Sequence, residues 1–272
     1  MKQLRAIRLL LAALLFAGSV ACLIFGPRVH PVAHIAESSQ LILSMIPVTM
    51  GAALVWLLLT FMFGRVYCST VCPIGTLSDL FLLIRRNVRP LDRCFSYSPP
   101  SRMLLPVLLI YLVCLMLGMA YVGIIFEPWS IANNIAGAAG APVARAYWSQ
   151  MGVAAIVGMV AGIASFLIIA GLSLWRGRVF CSRWCPLGTA MGIAHQHALF
   201  HIEIDPDKCS GCGICEDICR SECIKVVSRY VDNSRCVRCF ECVTKCPDDA
   251  IRFQINRNRP KMPLMKKVKS IK

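Results

Sequence analysis

The chain has 272 residues, of which 57% are hydrophobic and 16% charged, with a formal net charge of +15. So apolar a composition excludes an ordinary soluble domain and a disordered chain, and asks for lipid as solvent. The 29 basic residues cluster in particular segments, and that placement argues for a membrane topology signal and against nucleic-acid binding.

Residues 9–25 carry no charge and follow Lys2, Arg5 and Arg8. They are expected to form a retained first transmembrane helix, about 4–25. The alternative is a cleaved signal peptide, or a lipoprotein signal ending at Cys22. Further charge-free stretches cover 41–63, 103–126 and 150–175, each longer than the ~20 residues that span a bilayer. Four membrane helices are therefore expected.

Basic residues alternate between the intervening segments. Three precede the first span, one lies in 26–40, six in 64–102, one in 127–149 and 18 from Arg176 onward. By the positive-inside rule both termini and the 64–102 loop face the cytoplasm of a bacterial inner membrane. Of the outer loops, the first carries His30 and His34, a weak metal-binding pair. The second, 127–149, is rich in small apolar residues and is expected to lie along the outer membrane face. Its Glu127 reads either as a plain interfacial acid or as a group that accepts a quinol proton.

After the second span comes GRVYCSTVCPIGT, residues 64–76; after the fourth comes GRVFCSRWCPLGT, residues 177–189. Nine of the thirteen positions are identical, at an offset of 113. Each half thus reads as two helices followed by a C-x3-CP motif, two parallel repeats related by an axis along the membrane normal. Such symmetry carries Cys68, Cys72, Cys181 and Cys185 to one depth, where four thiolates can hold a further metal or cluster. The alternative is that Cys-Pro and Gly merely shape a helix end. Cys22, Cys94 and Cys114 fit no pattern and are expected as packed thiols. His195, His197 and His201 are expected as solvated linker residues.

The segment from Cys209 to Cys246 repeats C-x2-C-x2-C-x3-C twice, as Cys209, Cys212, Cys215 and Cys219 and as Cys236, Cys239, Cys242 and Cys246. This spacing serves two [4Fe–4S] clusters, the fourth cysteine of each run ligating the other cluster. One cluster then takes Cys209, Cys212, Cys215 and Cys246, the other Cys236, Cys239, Cys242 and Cys219. Paired zinc sites are the competing reading of CxxC pairs. The first run departs from the usual Cys-Pro ending: Arg220 follows Cys219, and a further Cys223, expected as a packed thiol, lies four residues on. Clusters of this kind need a reducing compartment, which again puts the segment in the cytoplasm. The last 16 residues hold seven basic and no acidic groups and suit anionic lipid headgroups.

The expected architecture is therefore an all-α integral membrane four-helix domain, 1–198, then a small α+β dicluster bacterial ferredoxin-like domain, 199–256, and a basic tail, 257–272. Four helices, paired C-x3-CP motifs and a C-terminal dicluster segment together resemble the NapH family of membrane ferredoxins, within a wider group of NosR-like, MauN-like and CcoG-type proteins. The resemblance implies a quinol dehydrogenase component that passes electrons from the quinol pool towards a periplasmic reductase. It further implies a partner redox protein, a periplasmic ferredoxin-type or cytochrome subunit. The other function class is a maturation or metal-reduction factor that handles copper or another metal through the C-x3-CP thiols.

Overall fold

The computed structural model describes residues 2–26, 46–88, 95–100, 104–117, 126–150 and 155–255. His30, His34, Cys94 and the basic tail lie outside them. Four apolar helices fall on the charge-free stretches: α1 (Lys2–Phe25), α2 (Ile46–Phe63), α5 (Leu104–Met116) and α8 (Ala155–Arg176). Two of them, over Gln3–Phe25 and Ile156–Arg176, are long and apolar enough to cross a membrane, and shorter apolar helices run Leu54–Phe63 and Leu105–Cys114. Leu10, Leu14, Leu58, Ile110, Ile156 and Leu167 point outward from these helices. In water that surface would drive aggregation; in lipid it is the natural exterior. The hydroxyls within the helices bond back to their own backbone, Ser19 to the Leu15 carbonyl at 2.8 Å and Thr60 to that of Trp56 at 2.7 Å.

The chain turns at Gly64 after α2 and at Gly177 after α8, both with positive φ, a conformation that suits glycine. A single helical turn follows each, α3 (Tyr67–Thr70) and α9 (Val179–Arg183). Then come α4 (Pro73–Val88) and α10 (Pro186–His195), each opened by the proline of its C-x3-CP motif. Proline fits a first helical position because its missing N–H would have no partner there. The packing of the two is crosswise: α4 lies on α1 and α8, while α10 lies on α5 and α2. Much of the 64–102 segment, read from its charges as a loop, is therefore helix. Its signal was the spacing of Ile74, Ser78 and Leu82, which α4 buries on one face.

The 127–149 segment also departs from expectation. It forms α6 (Pro128–Ala138) and α7 (Pro142–Gln150), and α6 packs closely along α8. Trp129, Ile131 and Ala132 sit in the same buried core as Cys68, Cys72 and Cys185. Small residues permit this depth: a Cβ on Gly162 would fall within 3.0 Å of the Asn134 carbonyl, and one on Gly158 within 3.0 Å of the Trp148 ring.

The C-terminal lobe pairs β1 (Phe200–Ile204) antiparallel with β4 (Ile251–Ile255), and β2 (Ile224–Lys225) with β3 (Tyr230–Val231). Two short helices, α11 (Ile214–Asp217) and α12 (Glu241–Lys245), face each other between them. The lobe joins the helices closely, with Leu199 N–H donating to the Phe61 carbonyl at 2.8 Å. Arg220, in the position where the cysteine run usually has proline, is buried and bridges Asp79 of α4 at 2.6 Å and Glu241 of α12 at 3.0 Å. Arg5 and Arg86 reach the same Glu241, at 2.8 and 2.9 Å. The departure from Cys-Pro is thus a joint between the two lobes.

Candidate metal centres

In the C-terminal lobe each cysteine run wraps a loop whose backbone turns left-handed at the same two places. After Cys209 these are Gly211 and Gly213; after Cys236 they are Arg238 and Phe240. Glycine adopts that conformation freely, whereas Arg238 and Phe240 hold it against a steric cost. The third cysteine of each run then enters a short helix, Cys215 in α11 and Cys242 in α12.

The folding of these loops forms two sulfur-lined cavities. Cys209, Cys212, Cys215 and Cys246 line one, with Ile214, Val226 and Pro247. Cys219, Cys236, Cys239 and Cys242 line the other, together with Cys223. The fold thus brings four cysteines to the wall of the first cavity and five to that of the second. Cys212 is exposed, while Cys236 and Cys242 are buried, so the first cavity is the outer and the second the inner one.

Cys223 adds a fifth sulfur to the inner cavity, with its Sγ 3.4 Å from that of Cys219. Hydrogen bonding with Cys223 holds the Cys219 thiol below its ordinary range and brings Cys236 to about 6, while Cys223 itself is pushed up. The thiolate is the form of cysteine that ligates iron.

The C-x3-CP cysteines are all buried: Cys68, Cys72, Cys181 and Cys185. Burial pushes Cys72 well up and Cys181 to about 11, and the charges of Cys181, Cys68 and Cys185 raise Cys72 further. Cys72 feels Cys181, Cys68 and Cys185 together, so the two motifs share one electrostatic environment. Among the described residues, no three His, Cys, Asp or Glu side chains converge closely enough for a single metal ion. A multi-iron cluster spaces its thiolates further apart than one tetrahedral ion does.

The rest of the repeat is explained by contacts that occur twice. Arg65 donates to the Cys181 carbonyl at 2.9 Å, and Arg178 to the Cys68 carbonyl at 2.6 Å. A Cβ on Gly75 would come within 3.0 Å of the Cys68 carbonyl, and one on Gly188 within 3.0 Å of the Cys181 carbonyl. Thr76 Oγ1 bonds the Cys72 carbonyl at 3.3 Å, and Thr189 Oγ1 that of Cys185 at 3.1 Å. Both guanidinium groups are buried, Arg178 within electrostatic range of Cys181 and Arg65 within range of Cys181 and Cys185, which favours negative charge there.

A sequence profile described as a 4Fe-4S binding domain matches residues 45–90 and again residues 158–203, and another of that description matches residues 202–225. The paired matches begin 113 residues apart, the offset of the two motifs. An uncharacterized protein of Methanocaldococcus jannaschii is 25% identical over 206 residues, 75% of this chain and 70% of the relative. Ferredoxin-type protein NapH of Haemophilus influenzae is 24% identical over 75% of this chain and 67% of its own length. Methylamine utilization ferredoxin-type protein MauN of Paracoccus denitrificans is 28% identical over 64% of this chain and 54% of its own.

The chain is similar to the NapH-type ferredoxin proteins.

The matches to 4Fe-4S binding domains support iron–sulfur clusters in this chain. No solved structure matches it. The donor sets of the chain fit such clusters, since soft cysteine sulfurs line both cavities of the C-terminal lobe.

Several residues around these centres were not foreseen. His195 and His201, expected in solvent, are buried; only His197 is exposed. His195 stacks near His201 and faces Arg238 Nη2 at 2.7 Å from its Nε2. Arginine only donates, so Nε2 accepts and the proton of His195 lies on Nδ1. Burial and the neighbouring Arg238 and Arg65 hold His195 well below its ordinary range, and hence neutral. The clue in the sequence was Gly64, whose Cβ would strike the His195 ring. Glu127 is buried, not interfacial, and accepts from Tyr111 Oη at 2.6 Å. Cys22 is a buried packed thiol as expected, and Cys114 is half-buried.

Against Pro73, the residue after Cys72, lies an apolar cavity of about 440 Å³. Pro73 and Ile74 wall one side, α1 contributes Leu23, and α6 contributes Ala132 and Ile135. The volume lies in the range of ordinary small-molecule sites.

Proposed function

We propose that the chain is a multi-pass inner-membrane protein that oxidises quinol and delivers the electrons towards a periplasmic reductase. The observation that carries this is a junction of buried sulfurs. Val237 belongs to the core that contains Cys68, Cys72 and Cys185, and Cys239 packs against it. Three of the C-x3-CP cysteines and the wall of the inner ferredoxin cavity therefore adjoin one core. The apolar cavity against Pro73 suits the body of a lipid-soluble quinol.

In this reading α1, α2, α5 and α8 are the four spans, arranged as two parallel repeats. Residues 1–198 form the membrane domain, 199–256 the dicluster domain and 257–272 a basic tail. Both termini and the dicluster domain face the cytoplasm, following the basic-residue bias. Cys209, Cys212, Cys215 and Cys246 hold one [4Fe–4S] cluster, and Cys236, Cys239, Cys242 and Cys219 the second. Cys68, Cys72, Cys181 and Cys185 hold a further metal or cluster. Iron–sulfur clusters, when bound, supply one-electron storage at potentials set by their surroundings. The chain's own part is to keep water from the thiols, to compensate their charge with Arg65 and Arg178, and to tie the two lobes together through Arg220.

The test is anaerobic quinol oxidation by the purified full-length protein in lipid, run beside reduction of Cu(II). Bleaching of the iron–sulfur absorbance by quinol is the expected result. Reduction of copper with no response to quinol would support a metal-handling role in its place.

A further inference from the structure

Gly211 directly precedes the second cysteine of the outer run, and Arg238 holds the same place in the inner run. Both have positive φ, 78° and 55°. Glycine takes that conformation freely, whereas an arginine there is strained. Depth adds to the cost, for Arg238 is 0% exposed. Arginine does not lose its proton in proteins, so the inner loop buries a full positive charge where the outer loop has none.

Among the described residues the contacts of that charge are neutral. Nη2 donates to His195 Nε2 at 2.7 Å and to the Phe200 carbonyl, and the guanidinium lies over the Phe253 ring, 5.0 Å from its centroid. Nε and Nη1 have no hydrogen-bond partner there. Arg178, Arg220 and Arg235 are also buried, but each has a carboxylate: Asp79 for the first two and Asp232 for the third. The groups that act electrostatically on Arg238 are sulfurs, those of Cys236, Cys223 and Cys242. Two neutral acceptors need no charged donor, so hydrogen bonding alone does not account for an arginine at this place.

Arg238 stands between Val237, part of the core that holds Cys68, Cys72 and Cys185, and Cys239, which packs against that core. The charge thus lies on the side of the ferredoxin lobe that adjoins the C-x3-CP motifs. Inside a protein a charge acts about four times as strongly as in water at the same distance, for effective dielectric constants of ~20 and ~80.

We propose that Arg238 sets the reduction potential of the inner centre, its buried charge raising that potential and favouring an electron held next to the C-x3-CP motifs. The proposal rests on the assignment of Cys219, Cys236, Cys239 and Cys242 to one [4Fe–4S] cluster. One-electron reduction adds a negative charge to the site, which burial opposes and a fixed neighbouring cation favours. Arg238 is not among the residues that wall the inner cavity, so it acts through its field and not as a ligand.

The experiment is a redox titration of the full-length protein in lipid, followed by electron paramagnetic resonance, with iron measured on each sample. The inner signal is the one that Cys219→Ala removes. R238Q keeps hydrogen-bond donors and discards the charge. It should move the inner midpoint to a more negative value and leave the outer midpoint in place, with iron unchanged. R238K keeps a positive charge and should stay close to wild type. An inner midpoint in R238Q equal to that of wild type, or one that R238K lowers just as far, overturns the proposal while the cluster assignment stands. If wild type has no signal that Cys219→Ala removes, the assignment fails and the proposal with it. If R238Q loses iron, His195→Glu decides, because it leaves the loop intact and gives the guanidinium a carboxylate. The inner midpoint should then fall, and an unchanged midpoint overturns the proposal.

Discussion

Arg65 and Arg178, 113 positions apart, each donate to the backbone of the other's motif, Arg65 to the Cys181 carbonyl and Arg178 to the Cys68 carbonyl. Neither bond lies within one repeat. The two C-x3-CP turns are therefore tied to each other by a reciprocal pair of side-chain bonds.

Breaking that reciprocity should be costly. Arg178 also pairs with Asp79 at 2.8 Å, so Arg178→Ala takes one cationic partner from a carboxylate that keeps Arg220 and leaves the Cys68 carbonyl without its donor. Leaving a buried hydrogen-bonding group without its partner typically costs about 1–3 kcal/mol. Thermal unfolding in detergent should show a loss of that order for Arg178→Ala, with reduced iron per chain. Arg178→Lys should recover only part, because one ammonium cannot reproduce the fork that serves both Asp79 and Cys68.

Gly75 and Gly188 should be intolerant of the smallest substitution. A methyl group at either would meet the carbonyl oxygen of Cys68 or Cys181. Gly75→Ala or Gly188→Ala should displace the motif and lower iron content. Gly171→Ala is the internal comparison, since nothing lies within 4 Å of a Cβ there. Equal iron content in all three variants would show that the close approach is not needed.

Asp79 sets a pH dependence. Burial alone would raise its pKa, but Arg178, Arg220 and Arg8 outweigh it and bring the carboxyl to about 2, from an ordinary 3.8. A depressed carboxyl contributes stability that is fully present above the ordinary value and is lost as the pH falls through the folded one. Wild type should therefore exceed Asp79→Asn in thermal stability at neutral pH, and the gap should narrow from about pH 4 towards pH 2. A gap independent of pH would assign the loss to packing.

Cys219 and Cys223 can be told apart by substitution. Cys219→Ala should remove one cluster, about four irons per chain. Cys223→Ala should keep both, and should shift the midpoint potential of the inner cluster as its sulfurs lose a hydrogen-bonded neighbour. Electron paramagnetic resonance of the reduced protein reads both outcomes. Loss of the cluster in the Cys223 variant alone would exchange the two roles.

The cysteine runs were legible because a cluster demands fixed spacing, and the motif pair because identity over nine of thirteen positions exceeds what helix ends require. Less was legible where one residue type serves two purposes. Arg65 counts as an ordinary cytoplasmic cation in a topology rule, yet it is 2% exposed and bonds Cys181. Small apolar residues in 127–149 read as a surface loop, because the same smallness that suits a loop also lets α6 reach the core. Arg220 looked like a defect in a ferredoxin run. Its meaning depends on Asp79, 141 positions earlier, which no local pattern contains.

The exchanged arginines also bear on descent. In a molecule holding only one repeat, a bond from the motif arginine to the motif cysteine of the other half has to reach a second copy. The contact is self-complementary, as the faces of a two-fold homodimer are. Duplication and fusion of such a gene would keep the interface and make the partner permanent. The two halves would then be free to diverge wherever symmetry was no longer required, as with Glu127, for which the first repeat, carrying Leu14 at the same offset, has no acidic counterpart.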